Sequence, residues 1–232
     1  TLDLFFMEKM NTVVSSDSTF KKEMFKYYDE VTLLKKHPHL ESFVLIDPAK
    51  TTEGRSADSA IVGAAIDQAS GELFFRDLVY GKLHPDQLYS KALDMLERLG
   101  ARVVGVETTG LNEFITYPFL NMIFQSVKGY ELVEFKPRGK KEDRIAQLVS
   151  FYRRGEVWHN GTISGPLELQ LMSFPRSRRS DIMDAWANII EMLDRGGRYF
   201  SFQGKGESKA EIEAEYASLG REDSIGEGWR FV

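Results

Sequence analysis

The chain has 232 residues, 42% of them hydrophobic, and no apolar run approaches the roughly 20 residues that cross a bilayer; this suits one large domain with appendages and excludes a helical membrane span. Cysteine is absent, so disulfides and thiolate zinc sites are ruled out, in keeping with a reducing compartment. The net charge of -5 speaks against a protein coated for nucleic acid, so any nucleic-acid surface must be local.

Residues 1–40 hold acids and bases in balance and no sharp strand pattern. Ser18-Thr-Phe-Lys-Lys-Glu23 resembles a capping box, with Phe20, Met24 and Tyr27 or Tyr28 at helical spacing, so one or two helices are expected before His37-Pro38. This stretch reads as a lead-in or linker. The chain starts at Thr1 without an initiator Met and without a basic n-region, and is expected to be part of a longer protein with no signal peptide. In Glu41-Ser-Phe-Val-Leu-Ile-Asp47, four consecutive apolar residues end abruptly at an acid, and Pro48 follows. This is a strand buried on both faces, stopped where proline cannot continue the ladder. Polar residues 50–58 form a loop. Strands are expected over 59–66 and 72–80, joined by the turn residues Asp67-Gln-Ala-Ser-Gly71, which makes the first three strands an antiparallel meander.

The period then changes. Leu88, Ala92, Leu93, Met95, Leu96 and Leu99 form a helical stripe that starts near Pro85 and stops at Gly100. Arg102-Val-Val-Gly-Val-Glu107 is a second apolar run ending at an acid. A helix over about 112–125 and a strand over 131–135 complete a strand–helix–strand unit. Further expectations are a helix over 141–154, a short strand over 156–158, a helix over 167–172 and a basic loop over 175–180. A long helix over 181–194 carries the buried stripe Ile182, Ala185, Trp186, Ile189, Ile190 and Leu193. Residues 201–232, with seven acids and four bases, read as an acidic tail. The main domain is expected over 41–200.

Three places put carboxylates at the ends of core elements: Asp47, Glu107, and Asp181 with Asp184. Residues three apart share a helix face, so Asp181 and Asp184 project together, with Asn188 further along the same side. Asp181 also suits the positive end of the helix dipole, and Asp47 reads equally as a turn-starting acid or as a ligand. Carboxylates from separate elements suit hard cations such as Mg²⁺ or Mn²⁺, and two such ions can promote phosphodiester hydrolysis.

At these motifs the chain resembles the nuclease domain of phage terminase large subunits, within the ribonuclease H-like superfamily. Phe43-Val-Leu-Ile-Asp-Pro-Ala49 resembles that family's first acidic motif and Asp58-Ser-Ala-Ile-Val62 its second strand. Val103-Val-Gly-Val-Glu-Thr-Thr-Gly110 resembles the second acidic motif. Lys141-Glu-Asp-Arg-Ile145 with Gly155-Glu-Val-Trp158 resembles its basic helix and short strand, and Asp181-Ile-Met-Asp-Ala-Trp-Ala187 the helix bearing the third acid. The resemblance covers about residues 40–195. It implies an α/β fold with a ribonuclease H-like mixed sheet of five or more strands, the first three antiparallel, flanked by helices. It also implies catalytic, metal-holding Asp47, Glu107 and Asp184, with Asp181 as a further candidate ligand, and two Mg²⁺ or Mn²⁺ ions. The implied activity is cutting of double-stranded viral DNA during genome packaging in the host cytoplasm. The implied partners are an ATPase motor domain on the same full-length chain, the portal and the small terminase subunit. No Gly-x-x-x-x-Gly-Lys-Ser/Thr loop is present, so the chain corresponds to the nuclease part.

Seven bases and two acids lie between Lys136 and Arg154, and Arg176, Arg178 and Arg179 precede Asp181. Lys136, Arg138, Lys140, Lys141, Arg144, Arg176, Arg178 and Arg179 are therefore candidate phosphate contacts, weighed against an ordinary solvated face. Nothing reads base edges, so little sequence specificity is expected. His37, His39, His84 and His159 make no metal-ligand spacing, and Trp158 and Trp186 read as core. The rivals are another ribonuclease H-like nuclease (a junction resolvase or a transposase core), a non-catalytic DNA-gripping or motor-docking module, and a nucleotide-binding α/β domain. A missing Gly-rich loop disfavours the last.

Overall fold

Strand β3 (Ser59–Asp67) is buried along its whole length, and the sheet extends from it in both directions. The computed structural model describes residues 19–49, 58–108, 119, 129–136, 140–177 and 179–195. The strands are β1 (Lys26–Tyr28), β2 (Leu40–Asp47), β3, β4 (Leu73–Gly81), β5 (Val103–Glu107), β6 (Glu131–Phe135) and β7 (Val157–Asn160). They form one sheet in the order β1-β7-β4-β3-β2-β5-β6. The meander β2-β3-β4 is antiparallel, whereas β5, β6, β7 and β1 join by parallel pairing. The helices are α1 (Glu30–Lys36), α2 (Pro85–Leu99), α3 (Lys141–Arg154), α4 (Gly165–Met172), α5 (Asp181–Ala187) and α6 (Ile189–Arg195).

Two hydrophobic layers cover the sheet. Side chains alternate along a strand, so Phe43 and Leu45 of β2 face one way and Val44 and Ile46 the other. The first pair joins the larger core with Val103, Val133, Phe135 and residues of α3, α4, α5 and α6. The second pair joins Val104, Val106 and the stripe of α2, where Tyr89 stacks on Phe119 with ring centroids 4.6 Å apart. Small residues on β3 let α2 approach closely: a Cβ on Gly63 would lie 2.9 Å from Asp77 Cβ and 3.2 Å from Met95 Sδ. Helix α2 has the expected bounds because Pro85 suits its first turn and Gly100 leaves it at a φ of 64°.

Three elements differ from expectation. The stretch after Ser18 does not continue as a helix. It forms a single 3-10 turn at Lys22–Met24 and then β1, which pairs with β7. Phe20 and Phe25 bring this about: both are buried, Phe20 edge-on to Tyr152 at 5.3 Å and Phe25 stacked on His159 at 5.1 Å. Their spacing of five belongs to neither face of a helix, so tertiary packing overrides the local helical signal. Helix α1 does form, capped by Asp29, which accepts from the Val31 N–H at 2.9 Å. Residues 26–28 are thereby paired in the sheet, and Leu33 of α1 packs with Ala65 and Phe74. The long helix over 181–194 divides into α5 and α6 at Asn188, where ψ is -11°, while the Asn188 N–H still donates to Asp184 O at 3.2 Å and its carbonyl accepts from the Met192 N–H at 3.1 Å. The loop over 50–57, the helix over 112–125 apart from Phe119, and the acidic tail lie outside the described residues.

Candidate metal centre

The ladder between β2 and β5 brings the first two acids together. The strands are parallel, with Phe43 opposite Val103 and Ile46 opposite Val106. One residue further on, both strands end at an acid on the same face of the sheet, about 5 Å apart in the hydrogen-bonding direction. The β2 end is fixed locally: Pro48 has no N–H to extend the ladder, and the Ala49 N–H donates to Ser59 Oγ at 3.0 Å. The third acid comes from above. Helix α5 is apolar on nearly every side, with Ile182, Met183, Ala185, Trp186 and Ala187 buried, and its first turn is tied down where the Met183 N–H donates to Gln170 Oε1 at 2.9 Å. This seats Asp184, itself only 7% exposed, over the strand ends.

One carboxylate oxygen from each of Asp47, Glu107 and Asp184 lies within 4.8 Å of the other two. Glu107 is buried and Asp47 is half-buried at the strand terminus. Burial above all, then the charges of Glu107 and Asp184, push the Asp47 carboxyl well above the ordinary carboxylate range, with Lys141 opposing. Burial likewise raises Glu107, against the opposing effects of its hydrogen bond from Asn188 and the charge of Arg144. Helix α3 supplies the compensating cations from one face, three residues apart. Lys141 Nζ lies 2.6 Å from Asp184 Oδ2, and Arg144 Nη2 donates to Asp184 Oδ1 at 2.9 Å while standing 3.6 Å from Glu107 Oε2. Asn188 donates from Nδ2 to Glu107 Oε2 at 3.1 Å. Arg144 Nε and Asn188 Oδ1 are buried without a hydrogen-bond partner among the described residues.

The donor set fits a hard divalent cation: three carboxylates from three elements, converging in a partly desolvated place and disfavoured together by their mutual repulsion. Asp181 is half-buried and outside the trio; its charge is a lesser influence on Asp47. A second group, His37, Asp67 and Glu72, also brings ligand-type atoms within 4.8 Å. It has a structural explanation in the β3–β4 turn. Asp67 accepts from the Ala69 N–H at 3.0 Å and meets His37 Nδ1 at 2.8 Å, while Trp158 donates to Glu72 at 3.0 Å. His159 is fully buried, between the Tyr152 hydroxyl and Glu168, each at 2.8 Å, and Trp186 donates to the same Tyr152 hydroxyl at 3.2 Å. The Tyr152 hydroxyl thus accepts from the indole while facing His159 Nε2, and His159 Nδ1 faces the Glu168 carboxylate.

The candidate phosphate contacts divide. Lys136, Lys140, Arg176 and Arg179 are exposed; Arg138 and Arg178 lie outside the described residues. Lys136 directly follows Phe135, the ladder partner of Glu107, so it stands at the acid end of the sheet. Arg179, in the loop before α5, reaches Asp58 at 3.5 Å. Lys141 and Arg144 do not belong with the exposed set, because both turn inward to the acids. Arg144 is 5% exposed, which burial along the helix explains: it precedes Leu148 by one turn and shares its buried stripe.

No protein-family model and no curated protein matches the sequence. Solved structures do. The P22 large terminase nuclease domain aligns with a TM-score of 0.56 at 11% identity, covering 78% of this chain and 95% of that one. The human cytomegalovirus terminase nuclease domain, soaked with Mn and bound to an inhibitor, aligns at 0.54 and 11% identity, with the same 78% and 95% coverage. The large terminase nuclease of the thermophilic phage G20c, with bound magnesium, aligns at 0.52 and 14% identity over 75% of this chain and 96% of that one. The seven-stranded mixed sheet, its antiparallel meander and its flanking helices are thus the ribonuclease H-like fold of terminase nuclease domains.

Proposed function

We propose that the chain is a metal-dependent endonuclease domain that cuts double-stranded viral DNA during genome packaging, by phosphodiester hydrolysis. The observation that carries this reading is the convergence of Asp47, Glu107 and Asp184 within 4.8 Å, on a fold shared with terminase nuclease domains. These three residues would hold two Mg²⁺ or Mn²⁺ ions, with Asp181 close enough to take part through its charge. Ions so bound supply a polarised water and charge stabilisation at the leaving oxygen. The protein's own contribution is positional. The parallel register fixes Asp47 beside Glu107, the buried face of α5 fixes Asp184 over them, and Arg144 keeps the cluster from carrying its full negative charge. Lys136, Lys140, Arg176 and Arg179 are the phosphate contacts of the proposal, placed by chain connectivity near the acids. Through the resemblance of its motifs, the domain would work beside an ATPase motor on the same chain, with portal and small terminase as further partners.

Nicking of supercoiled plasmid in Mn²⁺ or Mg²⁺ tests the reading. Wild type is expected to nick, and Asp47→Ala and Glu107→Ala to lose nicking while keeping the wild-type circular dichroism spectrum. Cleavage retained by either folded variant overturns the mechanism.

A further inference from the structure

The face of the sheet that carries the acids continues across β3 and β4. Antiparallel pairing sets Asp47 opposite Ala60 and Ala60 opposite Tyr80, so these three residues form one row. Leu45 and Leu78, each two residues before a member of the row, pack in the larger core with Ala60, so the row lies on the side of the sheet that α5 covers. Tyr80 is exposed, which leaves this flank open, about 10 Å from Asp47 across two strand spacings. Ser59 pairs with Gly81, and one step beyond that pair Asp58 meets Lys82.

Asp58 gathers two cations from separate elements. Lys82 Nζ, just past the end of β4, lies 3.4 Å from Asp58 Oδ1, and Arg179 Nη1, from the loop before α5, lies 3.5 Å from Asp58 Oδ2. The side chains of Lys82 and Arg179 are 37% and 78% exposed, whereas Asp58 is half-buried between them. One carboxylate offsets only one of the two positive charges, so the group is net positive. Both contacts are longer than the about 2.7–2.9 Å of a charge-assisted hydrogen bond, and exposed ion pairs contribute little to stability. An arriving phosphate therefore gains both cations at little cost to the fold.

We propose that Lys82 and Arg179, set side by side by Asp58, hold the DNA backbone on the β3–β4 flank of the acid cluster. The two cations stand on opposite oxygens of one carboxylate and take adjoining phosphates. Lys136 stands at the same end of the sheet on the far side, after β6, so the acids lie between cations on both flanks. Backbone contacts of this kind set position and affinity and carry no base preference. The inference rests on the nuclease reading above and adds to it the direction in which the strand leaves the acids.

The test is fluorescence anisotropy of a labelled duplex oligonucleotide with the full 232-residue chain, in EDTA so that no cleavage intervenes, across a salt series. Each phosphate contact contributes about 0.9 to the slope of log affinity against log salt. Lys82→Gln and Arg179→Gln are each expected to lower the slope by about 0.9, the double variant by about twice that, and Lys82→Arg to keep it. Lys35→Gln makes the same change in net charge on the exposed side of α1, which leads into the opposite end of β2, and is expected to leave the slope at the wild-type value. A structural role in balancing Asp58 predicts something else: a lower Tm in Lys82→Gln with the wild-type slope, and that result overturns the proposal. A loss in Lys35→Gln equal to that in Lys82→Gln overturns it as well, because the effect is then one of net charge. If wild type nicks plasmid while both single variants keep its slope, the flank is wrong and the nuclease reading stands. Wild type that neither binds the duplex nor nicks plasmid overturns both.

Discussion

Neutralising Asp47 is expected to stabilise the metal-free protein while abolishing the proposed nuclease activity. Two unit charges 4.8 Å apart repel by about 3.5 kcal/mol at an effective dielectric constant of 20, and Asp47 has two carboxylate oxygens at or inside that distance. Lys141 and Arg144 contact Asp184 at 2.6 and 2.9 Å while Glu107 has Arg144 at 3.6 Å, so Glu107 is the larger of the two repulsions on Asp47 and both are partly compensated. Relaxation and screening reduce it further, and the net gain in Asp47→Asn is about 1–2 kcal/mol, which for a chain of this size raises Tm by about 2–8 °C. The pH dependence follows from the direction of the shift. Burial, then Glu107 and Asp184, raise the Asp47 carboxyl in the folded state above its value in the unfolded chain. Between the two values the folded state holds a proton that the unfolded state has released, so wild-type stability falls as pH rises through that window. Below it Asp47 is protonated in both states and the penalty vanishes. Differential scanning calorimetry in EDTA at neutral pH should show Asp47→Asn melting above wild type, with the gap closing on acidification. Mn²⁺ should raise the wild-type Tm and leave the variant nearly unmoved. A variant that melts below wild type in EDTA at neutral pH, or a gap that widens in acid, refutes the reasoning.

Arg144→Met removes a buried guanidinium and leaves Asp184 and Glu107 with less compensation, and breaking a buried pair from one side costs about 3–5 kcal/mol, the lower end applying here because Lys141 remains. Urea denaturation in EDTA measures this, and Mn²⁺ should recover part of the loss. Arg176→Ala with Arg179→Ala should weaken duplex binding uniformly across sequences and reduce the slope of log affinity against log salt by up to about 2, since each phosphate contact contributes about 0.9. Fluorescence anisotropy across a salt series reads this slope, and an unchanged slope removes that loop from the DNA path.

The acids were legible because each strand announces its own end. The apolar runs before Asp47 and Glu107 stop at the carboxylate, and Pro48 or a polar turn follows. Helix α2 was legible for the same reason, with Pro85 and Gly100 at its ends. What could not be read is whatever depends on a partner far along the chain. Three-residue β1 has too little pattern of its own, and exists because β7, more than 120 residues later, accepts it in the sheet. The division at Asn188 is invisible to periodicity because Ile189, Ile190 and Leu193 continue the stripe of α5. Arg144 was counted among exposed bases because charge runs are read along the chain, whereas its position one turn before Leu148 held the better signal.

Asn188 and the inward-turned Arg144 meet at the same site. A carboxylate trio at the ends of two interior strands and on the helix over them is self-repelling, and the fold must hold it together whether or not a cation is bound. Two structural irregularities supply that. A cation on α3 is drawn inside to Asp184 and Glu107, and Asn188, at the junction of α5 and α6, turns its amide to Glu107. Both leave a polar atom without a partner among the described residues, Arg144 Nε and Asn188 Oδ1. Core packing alone favours neither residue, since apolar side chains at these two positions would bury no orphaned group. Both meet at Glu107, and Arg144 reaches Asp184 as well, which marks this cluster out more narrowly than the acids do, because acids at strand ends are common and a buried arginine and asparagine converging on one of them are not.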